Sequence, residues 1–144
     1  MLEIMVVVAV IGLLSALAMP AFLKSRRSVQ NTRFINDLRV AADAFEQRAI
    51  ATGVFPPSAA PGVVPAGMDD YLSNVAWDSP TPLDGQWVWD NATIGNDEGV
   101  SIISLNLDDA RAAEIDAEID DGNLGTGLFR KRATSDGFIF LTGT

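Results

Sequence analysis

Residues Met1–Leu23 read MLEIMVVVAVIGLLSALAMPAFL, and this stretch decides the architecture. From Ile4 to Leu23 only Gly12, Ser15 and Pro20 are not plainly apolar. A helix of about twenty residues, rising roughly 1.5 Å per residue, spans about 30 Å, the thickness of a bilayer's hydrocarbon core. The stretch therefore has the length and composition of a membrane-crossing helix. Glu3 is the exception. A carboxylate alone in lipid is disfavoured by roughly 2.5 kcal/mol or more at the bilayer centre and by less near its edge, so an acid in this position calls for a cationic partner.

Three other readings of the same residues have physical content. A core helix of a soluble protein would need more chain than 144 residues to cover an apolar surface this long. A cleavable signal peptide is suggested by Ala16-Leu17-Ala18, a small-x-small pattern after an apolar stretch, but an acid stands where the basic n-region belongs. A plain single-pass anchor fits the length. Lys24, Arg26 and Arg27 then place the Leu23 end in the cytoplasm, an inference that a basic segment upstream of Met1 reverses.

Glu3, Gly12 and Pro20, spaced within LEIMVVVAVIGLLSALAMPAF, resemble the N-terminal segment of the type IV pilin and type II secretion pseudopilin superfamily. The resemblance covers about the first third of the chain once the helix continues past Leu23. It implies a basic leader ending in Gly and a processing site upstream of Met1, because the family's acid lies five residues into the mature protein and here it is third. It also gives Glu3 a partner, the N-terminal amine of a neighbouring subunit in an apolar filament core. A charge pair desolvated on both sides sets register more than it adds affinity. Gly12 weakens the helix and Pro20 removes one backbone hydrogen bond, so the segment between them can unwind as a subunit leaves lipid for the filament. The implied partners are further copies or other pilin-like subunits, membrane lipid before assembly, prepilin peptidase, and an inner-membrane platform with its ATPase. The implied location is the bacterial inner membrane, single-pass, with the head periplasmic.

Composition bounds the rest. The chain carries a net charge of -9; up to Arg33 it is +3, which leaves -12 on the remainder. So acidic a head argues against a general nucleic-acid surface, which wants a basic stripe. His and Cys are both absent, which excludes His-dependent triads, thiolate nucleophiles, disulfides and ordinary zinc sites. No pair of carboxylates stands out as an acid–base couple, and the chain is read as a structural protein, not an enzyme.

The organisation follows in three parts: residues 1-23 as the membrane and polymerisation half of a helix, 24-52 as its amphipathic half, and 53-144 as a globular head. Phe34, Leu38, Ala41, Phe45 and Ala49 recur at helical spacing, with Ile35 and Ala42 widening the stripe. Gly53 and Pro56-Pro57 end the helix. A Pro- and Gly-rich loop with a helical turn near Asp69–Leu72 leads to Trp77, Trp87 and Trp89, which form either a binding platform or, more simply, core. Strands are expected at Trp87–Asp90, Val100–Leu107, Leu128–Lys131 and Phe138–Thr142, with loops at Asn91–Gly99 and Asp136-Gly137. A helix is expected from an Asp108 N-cap to Asp121, ended by Gly122 or Asn123. The expected fold is α+β, a long N-terminal helix packed on an antiparallel sheet of three or four strands.

Two clusters are candidate sites in the head. Asp116, Glu118, Asp120 and Asp121, with Asn123, offer oxygens of the kind calcium takes, and the resemblance extends to major pseudopilins that bind calcium near the C-terminus. The bland reading is a solvated helix face; the residues are not an EF-hand, since Asp121 stands where Gly is needed. Phe129-Arg130-Lys131-Arg132 is the head's basic run, fitting a DNA-uptake patch or, more simply, a contact between subunits. The resulting expectation is a filament subunit, first a type II secretion pseudopilin, next a minor type IV pilin. An exported or anchored binding domain that does not polymerise is the alternative of another class.

Overall fold

Helix α1 runs unbroken from Leu2 to Thr52 in the computed structural model, which describes residues 1–92, 95–134 and 136–143. It passes through Gly12 and Pro20, although proline has no N–H to give the carbonyl one turn back. Gly53 ends it in the left-handed region at φ 81°, donating its N–H to the Ala49 carbonyl at 2.7 Å. A residue without Cβ adopts that geometry at little cost, which is why the helix stops here.

Beyond Gly53 the chain builds a four-stranded antiparallel sheet from β1 (Gln86–Asn91), β2 (Glu98–Ile103), β3 (Phe129–Lys131) and β4 (Gly137–Leu141), ordered β1-β2-β4-β3. Helix α2 (Asp109–Ile119) connects β2 to β3. The fold is α+β, with the second half of α1 laid on the sheet. Alternation along the strands divides the sheet's two faces. Trp87, Trp89, Val100, Ile102 and Phe138 join the core with Phe34, Leu38 and Phe45 of α1. Ring contacts tie the layers together: Phe45 stacks on Trp89 with centroids 3.9 Å apart, and Phe34 on Trp87 at 5.9 Å. Each such pair contributes about 0.5–1.5 kcal/mol beyond the area it buries.

All three tryptophans are buried, so they cover core and offer no surface platform. Trp77 donates from Nε1 to the Val63 carbonyl at 2.9 Å, and Trp89 to the Pro56 carbonyl at 2.8 Å. These bonds pin the loop of residues 53–85 across the core. Near Asp69–Leu72 that loop makes one α-turn, Leu72 N–H to Met68 carbonyl at 2.9 Å, and no longer helix.

The strand boundaries depart from the sequence pattern at glycines and at one turn. β2 begins at Glu98 and includes Gly99, expected in a loop; a Cβ there would collide with the Phe140 carbonyl, so only glycine lets β4 come this close. Gly137 likewise opens β4, in place of a turn, with its Cα against the Ile102 carbonyl. β2 ends at Ile103 instead of Leu107 because Ser104 takes φ 57° and breaks the ladder. Leu105 and Leu107 fold back against the core, and Gly85 makes room, since a Cβ there would sit 2.7 Å from Leu105 Cδ2. Asp108 caps α2 as expected, its carboxylate accepting from the Arg111 N–H at 2.8 Å. α2 stops at Ile119, before Gly122 and Asn123, as the Asp120 carboxylate turns to accept the Leu128 N–H. The expected Asn91–Gly99 loop lies partly outside the described residues, at 93 and 94.

Candidate assembly surface

An apolar run without a polar stripe presents apolar surface all round a helix. Every residue from Met1 to Val29 is exposed, and the most apolar window of α1 has a mean hydropathy of 2.5 with none of it buried. The helix is long and apolar enough to cross a membrane. Soluble monomers seldom show contiguous apolar patches beyond a few hundred Å². A surface of this kind is one that lipid or another protein can cover.

The three residues of the motif sit on this exposed rod. Glu3 lies in its first turn, where the partial positive charge of the helix N-terminus favours an acid. Among the described residues its carboxylate has no ion-pair partner. Gly12 faces open space: nothing lies within 4 Å of where a Cβ would stand. Pro20 is also exposed. Within one chain nothing brings these three residues together.

The acidic candidates divide. Asp116 is fully buried on α2, with both carboxylate oxygens lacking a conventional hydrogen-bond donor. Burial pushes its carboxyl above the ordinary aspartate range, the Asp121 charge adds to this, and the Asn123 N–H works weakly the other way. Asp121 moves in the opposite direction, its carboxylate stabilised by the Asn123 N–H and then by the Thr126 hydroxyl at 2.8 Å. Asp120 is committed to Leu128, and Glu118 lines a different cleft, against α1. Among the described residues no three His, Cys, Asp or Glu side chains are placed to hold a metal ion, so these four acids do not converge into a calcium cage.

The basic run is neutralised from within. Arg130 pairs with Asp97 at 2.8 Å, Lys131 with Asp109 at 2.9 Å, and Arg132 with Asp90 at 2.9 Å and with Asp136 at 2.8 Å. The Arg132–Asp90 pair is buried and is completed by the Ser101 hydroxyl donating to Asp90. Asp136 feels burial, which raises its carboxyl, but the Thr134 hydroxyl and the Arg132 charge outweigh it and hold the group low. Each of these three cations thus has a carboxylate partner within the head.

One feature escaped the sequence reading. Between α1 and α2 lies a cleft of about 800 Å³, at whose wall Arg111 donates to Asn31 Oδ1 at 2.9 Å and to Gln30 Oε1 at 3.2 Å. A buried Asn31 on the same stripe as Phe34 and Leu38 was its only signal. No family model, curated protein or solved structure matches the chain.

Proposed function

We propose that this chain is a structural subunit of a pilin-like filament, a type II secretion pseudopilin in the first instance, that assembles through its N-terminal helix. One observation carries the reading: α1 is a single helix whose first twenty-eight residues are exposed and largely apolar while its later turns form the core of a folded head. Such a rod is stable in lipid or packed against other copies of itself, and unstable in water. Glu3, alone at the head of the rod, sets the axial register by pairing with an amine of a neighbour. Gly12 and Pro20 let the segment between them loosen as it exchanges lipid for protein. The function is mechanical, with prepilin peptidase, an inner-membrane platform and its ATPase as processing and assembly partners. The head stands on the periplasmic side.

The test uses the absence of cysteine in the chain. Single cysteines at Val7, Val10 and Leu14 should cross-link copies into disulfide dimers when membranes from an assembling strain are oxidised, and Glu3→Ala should abolish the dimers while leaving the protein in the membrane fraction. Monomers at all three positions, or dimers unaffected by Glu3→Ala, would overturn the reading.

A further inference from the structure

The cleft between α1 and α2 carries side chains of both charges that form no ion pair with one another. Lys24, Arg26 and Arg27 of α1 and Arg111 of α2 line it, as do Glu114 and Glu118 of α2. None of these six side chains belongs to an ion pair among the described residues, where the four ion pairs engage only Arg130, Lys131 and Arg132 as cations. Spaces this wide keep opposite charges apart, and a cleft of about 800 Å³ is large enough for a small polar group between them. Arg111 is also positioned in advance: its Nε and Nη2 are held by the neutral amides of Asn31 and Gln30, which fix the guanidinium without cancelling its charge.

Position narrows the ligand. The cleft is floored by Pro20 and Leu23, the last turn of the apolar rod, so a bilayer around residues 4–23 puts it at the depth of the lipid headgroups. We infer that the cleft holds the headgroup of a phospholipid bearing a primary ammonium, phosphatidylethanolamine in type. Its phosphodiester would lie toward Arg111 and the α1 cations, its ammonium toward Glu114 and Glu118. A glycerol headgroup leaves the acids without a partner. A choline headgroup carries the charge but has no N–H to donate. The inference rests on the part of the proposed function that places residues 4–23 in lipid, and it does not depend on polymerisation.

The test is native mass spectrometry of the full chain purified in detergent and titrated separately with phosphatidylethanolamine, phosphatidylglycerol and phosphatidylcholine. Retention of phosphatidylethanolamine over the other two by about tenfold is expected, equivalent to one good charge-assisted contact. Arg111→Gln should weaken retention of all three lipids, since each carries the phosphodiester. Lys24→Gln, a change at an exposed residue that leaves the head intact, should weaken retention of all phosphate headgroups. Glu114→Gln with Glu118→Gln should lower phosphatidylethanolamine binding and raise phosphatidylglycerol binding. Equal retention of the three lipids, displacement by inorganic phosphate alone, or a cleft cross-linked to the acidic head of a second copy in place of lipid would each overturn the inference. Carbonate extraction separates the two readings: a chain released from membranes defeats the membrane placement itself, whereas a retained chain without lipid preference defeats only the headgroup site.

Discussion

The two halves of α1 obey the same helical geometry and have opposite fates. Residues 4–23 present apolar side chains to every side and none of residues 2–29 is buried, whereas Asn31, Phe34, Ile35, Leu38, Ala41 and Phe45 are buried against the sheet. Charges follow the same division. Lys24, Arg26 and Arg27 lack carboxylate partners among the described residues, while Arg130, Lys131 and Arg132 in the sheet are all paired. The cations of the sheet are matched by carboxylates of the head itself. The first half of the helix leaves its needs to be met by something outside the chain, and that contrast argues for a subunit more strongly than any single residue does.

The largest effects should come from breaking the satisfied half. Phe45→Ala removes a ring that meets Trp77 and Trp89, and should cost the head about 3–5 kcal/mol in urea unfolding followed by tryptophan fluorescence. Leu14→Ala, on the exposed half, should leave the same transition within about 0.5 kcal/mol while reducing cross-linked dimers in the Val7 and Val10 cysteine variants. A comparable loss in both variants would erase the contrast.

Removing one side of the buried ion pair should come next. Arg132→Met strands Asp90, whose carboxylate is equally buried, and should destabilise by about 3 kcal/mol. Pairing Arg132→Met with Asp90→Leu should recover much of that loss, since an apolar pair needs no mutual charge. Failure of the double variant to recover would mean that Ser101, or the geometry of the turn, matters more than the pair.

Asp116→Asn should stabilise, by about 1 kcal/mol at neutral pH, because an amide takes the buried place without a charge beside Asp121. Since its folded pKa lies above the unfolded value, the native state binds this proton more tightly. Stability therefore falls as pH rises from the ordinary aspartate range through the raised value. The advantage of the variant should be full above that value and vanish below about pH 4 in unfolding curves. The smallest effect should be Lys131→Gln, which removes an exposed pair and should change stability by less than about 0.5 kcal/mol.

Much of this fold is legible in the sequence, because local rules settle it. The stripe Phe34, Leu38, Ala41, Phe45 and the stop at Gly53 follow from helical spacing and the left-handed cap. The Asp108 cap and the Ala112–Ile115 face of α2 follow likewise. What stays hidden depends on partners distant in the chain. Gly99 and Gly137 read as loop residues, and only the approach of β4 to β2 makes them strand residues. Glu118 stands two residues from Asp116, yet it faces the α1 cleft. Arg111 reaches Gln30 and Asn31 across a separation that no local pattern reveals.

The pairing of α1 with the sheet also dictates the order in which this protein can be made. Phe34, Leu38 and Phe45 leave the ribosome long before Trp87, Trp89, Ile102 and Phe138, the residues that cover them. β1 can pair with β2 early, but the sheet closes only when β4, near the end of the chain, inserts between β2 and β3. A nascent chain therefore carries a finished apolar helix joined to an uncovered aromatic stripe for most of its synthesis, and folding of the head waits on the last strand. Under the proposed function, anchoring to the membrane would keep such chains dilute and apart during that interval, so the rod proposed to assemble the subunit would also guard its folding.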